Sequence, residues 1–318
     1  MAGLVVLVAA ALPAVIQVPY FMHLITLALI WVLMAQGQNL IQGVTGYVSI
    51  AQAGFMGVGA YFSTLWTTQW GGSVWQALWM APLFTGLMSV LVGYPSLRVK
   101  GHYFAILTLA YNMVIYTVLN TYQSLTGGEA GITHIPRPSE ISWGAWTLDF
   151  EGRSNVPYYH LVLMLAALSV LLCALILHSR VGRVLLAIRQ NETLAEATGV
   201  ITWHYKLFAF VVSASLAGLS GALYAHYIGF VNPEPFGVDQ SLNAILAVIL
   251  GGSGTLSGPI VGSFVVVFLP EYLRMADSYR LVIYGLILVV ATMFMPRGLV
   301  PLCTHALHSM VRTLRRRA

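Results

Sequence analysis

From Leu4 to Met295 the chain is a succession of apolar runs with almost no charge inside them. They lie at Leu4–Val18, His23–Ile41, Val48–Thr68, Val74–Tyr94 and Tyr103–Leu125, then at Tyr158–Leu177, Lys206–Phe230, Ser241–Leu250, Pro259–Leu269 and Arg280–Met295. None of them holds Asp or Glu, and Lys206 and Arg280 stand only at run edges. With 8% charged residues against 58% hydrophobic, the chain falls far below the roughly one quarter charged that a soluble domain carries. Lipid has to be its solvent. A crossing takes about 20 mostly apolar residues, so the chain has room for roughly eight to ten. The expectation is an all-α polytopic integral membrane protein, one transmembrane domain over residues 1–318. The runs at Ser241–Leu250 and Pro259–Leu269 are too short for ordinary crossings, and the glycines at 251, 252, 254 and 258 between them allow half-helices.

Lysine and arginine set the expected orientation. Arg98 and Lys100 share one short loop, Arg180, Arg183 and Arg189 belong to the 178–205 loop with Lys206 just after it, and Arg297, Arg312, Arg315, Arg316 and Arg317 line the 297–318 tail. All three are assigned to the cytoplasm. The 126–157 loop carries Glu129, Glu140, Asp149 and Glu151 against Arg137 and Arg153, with Trp143 and Trp146 suited to an outer interface, and is assigned outside. Both termini then face the cytoplasm. Met1–Ile16 ends like a signal peptide but lacks a basic start, and is read as an uncleaved first span. The basic tail anchors to anionic lipid, and no nucleic-acid partner is expected.

The runs limit the chemistry. A proton-coupled carrier needs an ionisable group in the membrane, and only His226 in GALYAHY is a titratable candidate, near the outer end of its span, where a lone histidine is more often structural. Sodium coupling through unwound carbonyls stays open. A serine nucleophile at Ser253 has no base in reach, because His305 and His308 fall in the tail. No G-x-x-x-x-G-K-[ST] loop is present to hold nucleotide phosphates, so no cofactor is expected. Cys173 and Cys303 show neither pairing nor metal spacing.

One polar interlude breaks the pattern: AIRQNETLAEATGV, Ala187 to Val200. Asn191 can cap a helix, Glu192 places negative charge in its first turn, and Gly199 can end it in the left-handed region. The expected helix is about seven residues, roughly 11 Å long, with Leu194 and Ala197 forming a small apolar face beside Glu196. The pattern alone fits a surface connector as well as a helix that enters another protein's groove.

That interlude resembles the cytoplasmic coupling loop of permease subunits of branched-chain amino-acid ABC importers. The likeness runs along nearly the whole chain: Asn39-Leu40 through Gly43, Gly46 and Ser49, then Ala53 to Tyr61; Leu97-Arg98-Val99-Lys100-Gly101 with Tyr103-Phe104-Ala105-Ile106; Arg180 to Arg183, Ala187 to Arg189 and Ala195 to Gly199. Lys206 with Phe208 to Phe210, Ala217 to Tyr224, Gly251-Gly252, Gly258-Pro259 and Pro296 to Leu299 complete it. Ala51-Gln52 departs from the family's commoner Gly-His. The resemblance implies a permease in a bacterial inner membrane, importing branched-chain or related hydrophobic amino acids delivered by an external binding protein. Its implied partners are two ATP-binding cassette subunits and a second permease. Urea and short-amide permeases are similar, so the substrate stays open between these. Leu194, Glu196, Ala197 and Gly199 are the expected ATPase-coupling residues. Asn39, Gln52, Asn112 and Asn243 are candidate path residues, although each can equally satisfy a neighbouring helix. Gly46, Gly54, Gly57 and Gly59 are expected to allow close packing.

Overall fold

The computed structural model describes residues 2–15, 18–99, 101–143, 146–148, 150, 155–273, 279–294 and 298–302. Lys100, Asp149, Glu151, Arg153, Cys303, His305, His308 and the arginines expected to make the tail basic lie outside them.

Apolar helices occupy all ten runs. α1 (Ala2–Val15), α2 (Pro19–Gln38), α3 (Gln52–Thr68), α4 (Val74–Ser96) and α5 (His102–Thr121) precede the long loop, in which α6 (Gln123–Thr126) is a single turn. α7 (Val156–His178) leads into two short amphipathic pieces, α8 (Arg180–Gln190) and α9 (Glu192–Ala197). α10 (Thr202–Ile228), α11 (Val238–Gly251), α12 (Gly258–Tyr272) and α13 (Arg280–Phe294) follow. Among the described residues, five helices are long and apolar enough to cross a membrane alone: Pro19–Val44, Val74–Ser96, His102–Thr121, Val156–His178 and Thr202–Ile228. The first continues α2 through a π-helical stretch, Asn39–Val44.

α10 is the central post, packed on α2, α3 and α4. Small residues permit this approach, since helices in lipid associate through close van der Waals packing. A Cβ on Gly59 would strike the Gly218 backbone, and one on Gly221 would strike Met56 O. Gly54 and Gly57 are crowded too, by Asn112 and by Phe236. Gly46 differs: its φ is +82°, so it serves a turn rather than a crossing. α1 lies on α7, where Tyr159 Oη donates to Ala9 O at 2.6 Å.

The short runs at 241–269 form an antiparallel hairpin. Gly251 backs onto Gly258 and Gly262 onto Ala247, so backbone meets backbone along α11 and α12. At 14 and 15 residues, each helix is about 21–23 Å long at 1.5 Å per residue, short of the ~30 Å hydrocarbon core. The 126–157 loop is tied to the other end of the bundle: β1 (Ile132–Thr133) pairs antiparallel with β4 (Phe230–Val231), and β2 (Ile141–Trp143) with β3 (Trp146–Leu148). His226 lies beneath this cover, fully buried, with Nδ1 against Pro136 O at 2.8 Å. That geometry fits the structural role expected of it.

Candidate functional site

The third apolar run does not begin as a helix. Thr45–Ala51 is a turn and extended chain, and α3 starts only at Gln52. Gln52 lies beside Met34 O and Ser213 O. Those residues stand ten and eleven positions inside the ends of their helices, about 15 Å down at 1.5 Å per residue. Non-helical backbone at such depth must be enclosed by protein and satisfied by it. Here it is satisfied: Gln38 Nε2 donates to Ser49 O at 3.0 Å, Ile50 N to Thr108 Oγ1 at 3.0 Å, and Tyr47 N to Ile41 O at 3.2 Å.

Three of the four candidate path residues flank this break. Gln52 bridges α2 and α10, its Nε2 donating to Met34 O (3.3 Å) and Ser213 O (3.1 Å) while its Oε1 accepts from Ser213 Oγ (3.2 Å). Asn112 on α5 accepts the N–H of Gly54 at 2.5 Å. Asn39 clamps the α11–α12 turn, accepting from Gly254 N at 2.8 Å and donating to Thr255 O at 2.9 Å. Gln36 joins it by donating to Leu256 O at 2.8 Å. Asn243 stands apart, half-buried on α11, with Nδ2 donating to Gln240 Oε1 at 3.2 Å. Towards the loop-covered end the column closes on Phe236, which is fully buried against Gly57 and packs edge-on to Tyr61 and Tyr224.

At the opposite end lies the polar interlude. α9 has six residues; Asn191 Oδ1 caps it by accepting from Leu194 N at 3.0 Å, and Gly199 has φ +87°. Leu194 (63% exposed) and Ala197 turn outward, while Ala195 is buried. Glu196 is exposed and accepts from Thr202 Oγ1 at 2.9 Å.

Sequence reasoning missed what holds α9 in place. Lys206, one turn into α10, is 2% exposed, and its Nζ meets Glu192 Oε1 at 2.6 Å and Tyr47 Oη at 3.2 Å. Tyr47 Oη also donates to Glu192 Oε2. Burial, and then the neighbouring Glu192 carboxylate, raise the Tyr47 phenol above its ordinary range, so it stays protonated and remains the donor. Arg189 on α8 donates to Gly43 O, and its side chain reaches Gly254. Both short surface helices therefore grip the break directly. The one available signal was Lys206 itself, since a cation just inside a span calls for an acid nearby.

The sequence profile described as "Branched-chain amino acid transport system / permease component" matches residues 20–292. The high-affinity branched-chain amino acid transport system permease protein LivM of Escherichia coli (strain K12) is 30% identical over 293 residues, covering 87% of this chain and 69% of that protein. LivH of the same strain is 24% identical, covering 86% and 92%. A ribose import permease protein, RbsC of Haemophilus influenzae, is 29% identical over 122 residues, 36% of this chain and 38% of its own. No solved structure matches. Helical spans, a buried break and a match over most of the length agree: the chain is a membrane permease of the branched-chain amino acid transport system permease family.

Proposed function

We propose that the chain is the transmembrane subunit of an ATP-driven importer for branched-chain or related hydrophobic amino acids. An external binding protein delivers the substrate at the end covered by the 126–157 loop. Two ATP-binding cassette subunits and a second permease complete the machine, in a bacterial inner membrane with both termini cytoplasmic. The observation that carries this reading is α9, a capped surface helix with Leu194 and Ala197 outward and a buried ion pair behind it. A mere connector gains nothing from burying a lysine, because desolvating charge is costly unless it is paired. Leu194, Glu196, Ala197 and Gly199 act here as the contact for the ATPase. The buried column from Asn39 and Gln52 to Asn112, with Asn243 at its side, is the path in this reading.

The test is reconstitution with the ATPase subunits, second permease and binding protein in liposomes. Leucine should accumulate on ATP addition, whereas the chain alone should accumulate nothing under proton or sodium gradients. Gly199→Val should cut uptake more than Glu196→Ala, since a β-branched residue is strained at positive φ. Both complexes should still assemble. Uptake at the wild-type rate by both variants would reduce α9 to a connector, and gradient-driven uptake by the chain alone would replace the ATPase with a carrier.

Orientation is checked separately. In a background without Cys173 and Cys303, a cysteine at exposed Ser139 should react with an impermeant maleimide in intact cells. One at exposed Thr193 should react only after the cells are opened. The reverse pattern would invert the topology.

A further inference from the structure

α3 begins deep in the protein without a cap of its own: Ala51 precedes it and offers no side-chain acceptor. Its first-turn donors are instead occupied from two other helices. Ala53 N donates to Ser241 Oγ on α11 at 2.9 Å, and Gly54 N to Asn112 Oδ1 on α5 at 2.5 Å. Asn112 is fully buried and its Nδ2 has no hydrogen-bond partner. A buried amide donor left unpaired is unusual in a folded protein. Here it belongs to an amide already bonded to the first turn of a 17-residue helix, where the dipole and the free N–H groups favour negative charge.

We propose that the first turn of α3, with Asn112 and Ser241, is a transit site for the carboxylate of the amino acid being carried, an inference that rests on the import function above. The two N–H groups and the Asn112 amide offer three donors, and a carboxylate supplies two oxygens to accept them. In the arrangement seen here the neutral oxygens of Ser241 and Asn112 act as placeholders, so neither N–H is left unsatisfied. Separation of α5 from α3 uncovers Gly54 N, and separation of α11 uncovers Ala53 N. No arginine or lysine among the residues named at this turn adds charge, which suits a site that must release its anion.

The test isolates charge at fixed shape. Asn112→Asp keeps an acceptor for Gly54 N but exchanges the amide donor for negative charge, and Ser241→Asp is compared with Ser241→Asn. Each is reconstituted as the full complex, normalised to assembled protein, and scored for ATP-driven uptake of leucine from loaded binding protein. Uptake at least tenfold lower for Asn112→Asp than for wild type, and for Ser241→Asp than for Ser241→Asn, is expected. A role limited to capping α3 would be kept or strengthened by aspartate. Equal uptake within either pair overturns the site, and whichever pair assembles decides. Wild-type import of leucine separately upholds the parent reading; wild-type import of a neutral amide alone would sink that reading and the carboxylate site with it.

Discussion

Lys206→Ala is expected to destabilise the folded protein by about 3–5 kcal/mol, the range for stripping one partner from a buried ion pair. Lys206 is 2% exposed and Glu192 14%, so water cannot replace the missing ammonium cheaply. The carboxylate would keep the Tyr47 and Thr202 hydroxyls but lose its buried ammonium. Denaturant or thermal unfolding in micelles measures the loss. The control is Lys206→Met with Glu192→Gln, which removes both charges while keeping an oxygen for Tyr47. This double variant should recover most of the stability, because deleting a pair costs far less than orphaning one member. Its uptake should nonetheless remain low, since α9 would lose its charged tie to α10 and keep only the Tyr47 hydrogen bond to the break. A double variant no more stable than the single one would assign the loss to side-chain packing instead.

Asn39→Leu should be nearly as damaging. Leucine approximates the volume but abandons Gly254 N–H and Thr255 C=O, both on half-buried residues. Each orphaned group costs about 1–3 kcal/mol, so roughly 2–6 kcal/mol is at stake. Hydrogen exchange should rise first across residues 252–257, the turn that Asn39 holds. Asn39→Asp, which retains the acceptor for Gly254, should fall between leucine and wild type. A residue serving only as path lining would instead lose uptake with exchange in the turn unchanged.

How much of this was legible depends on the reach of each signal. The ten helices were written in apolar run length, a local property. So was α9, because Asn191 caps a residue three positions on and Gly199 ends the helix by its own backbone freedom. Val48–Ala51, by contrast, belongs to an apolar run and reads as helix. Its backbone is satisfied by Thr108, 58 residues away, and by Gln38, partners that no window of hydropathy contains. The Tyr47–Lys206 contact was hidden for the same reason, the two being 159 residues apart, whereas the ion pair itself spans only 14 residues. Glu196 was the carboxylate expected to matter; it is exposed and accepts from Thr202 Oγ1. Glu192 holds the helix down. Asn39, Gln52 and Asn112 are polar groups in apolar spans; Gln52 and Asn112 bind backbone of other helices, and Asn39 binds that of the α11–α12 turn.

Asn39 bonds the α11–α12 turn from within the π-helical stretch that leads into the break. Two rearrangements moving independently would give the protein four states, two of them mixed, with one element shifted and the other not. A mixed state must break the clamp. If the clamp's coupling is about 2.8 kcal/mol, each mixed state is roughly a hundredfold rarer than it would be without it, at 1.4 kcal/mol per factor of ten. In the proposed import cycle, whose path must not open at both ends at once, one amide would thereby deplete the mixed combinations and leave a switch with two positions.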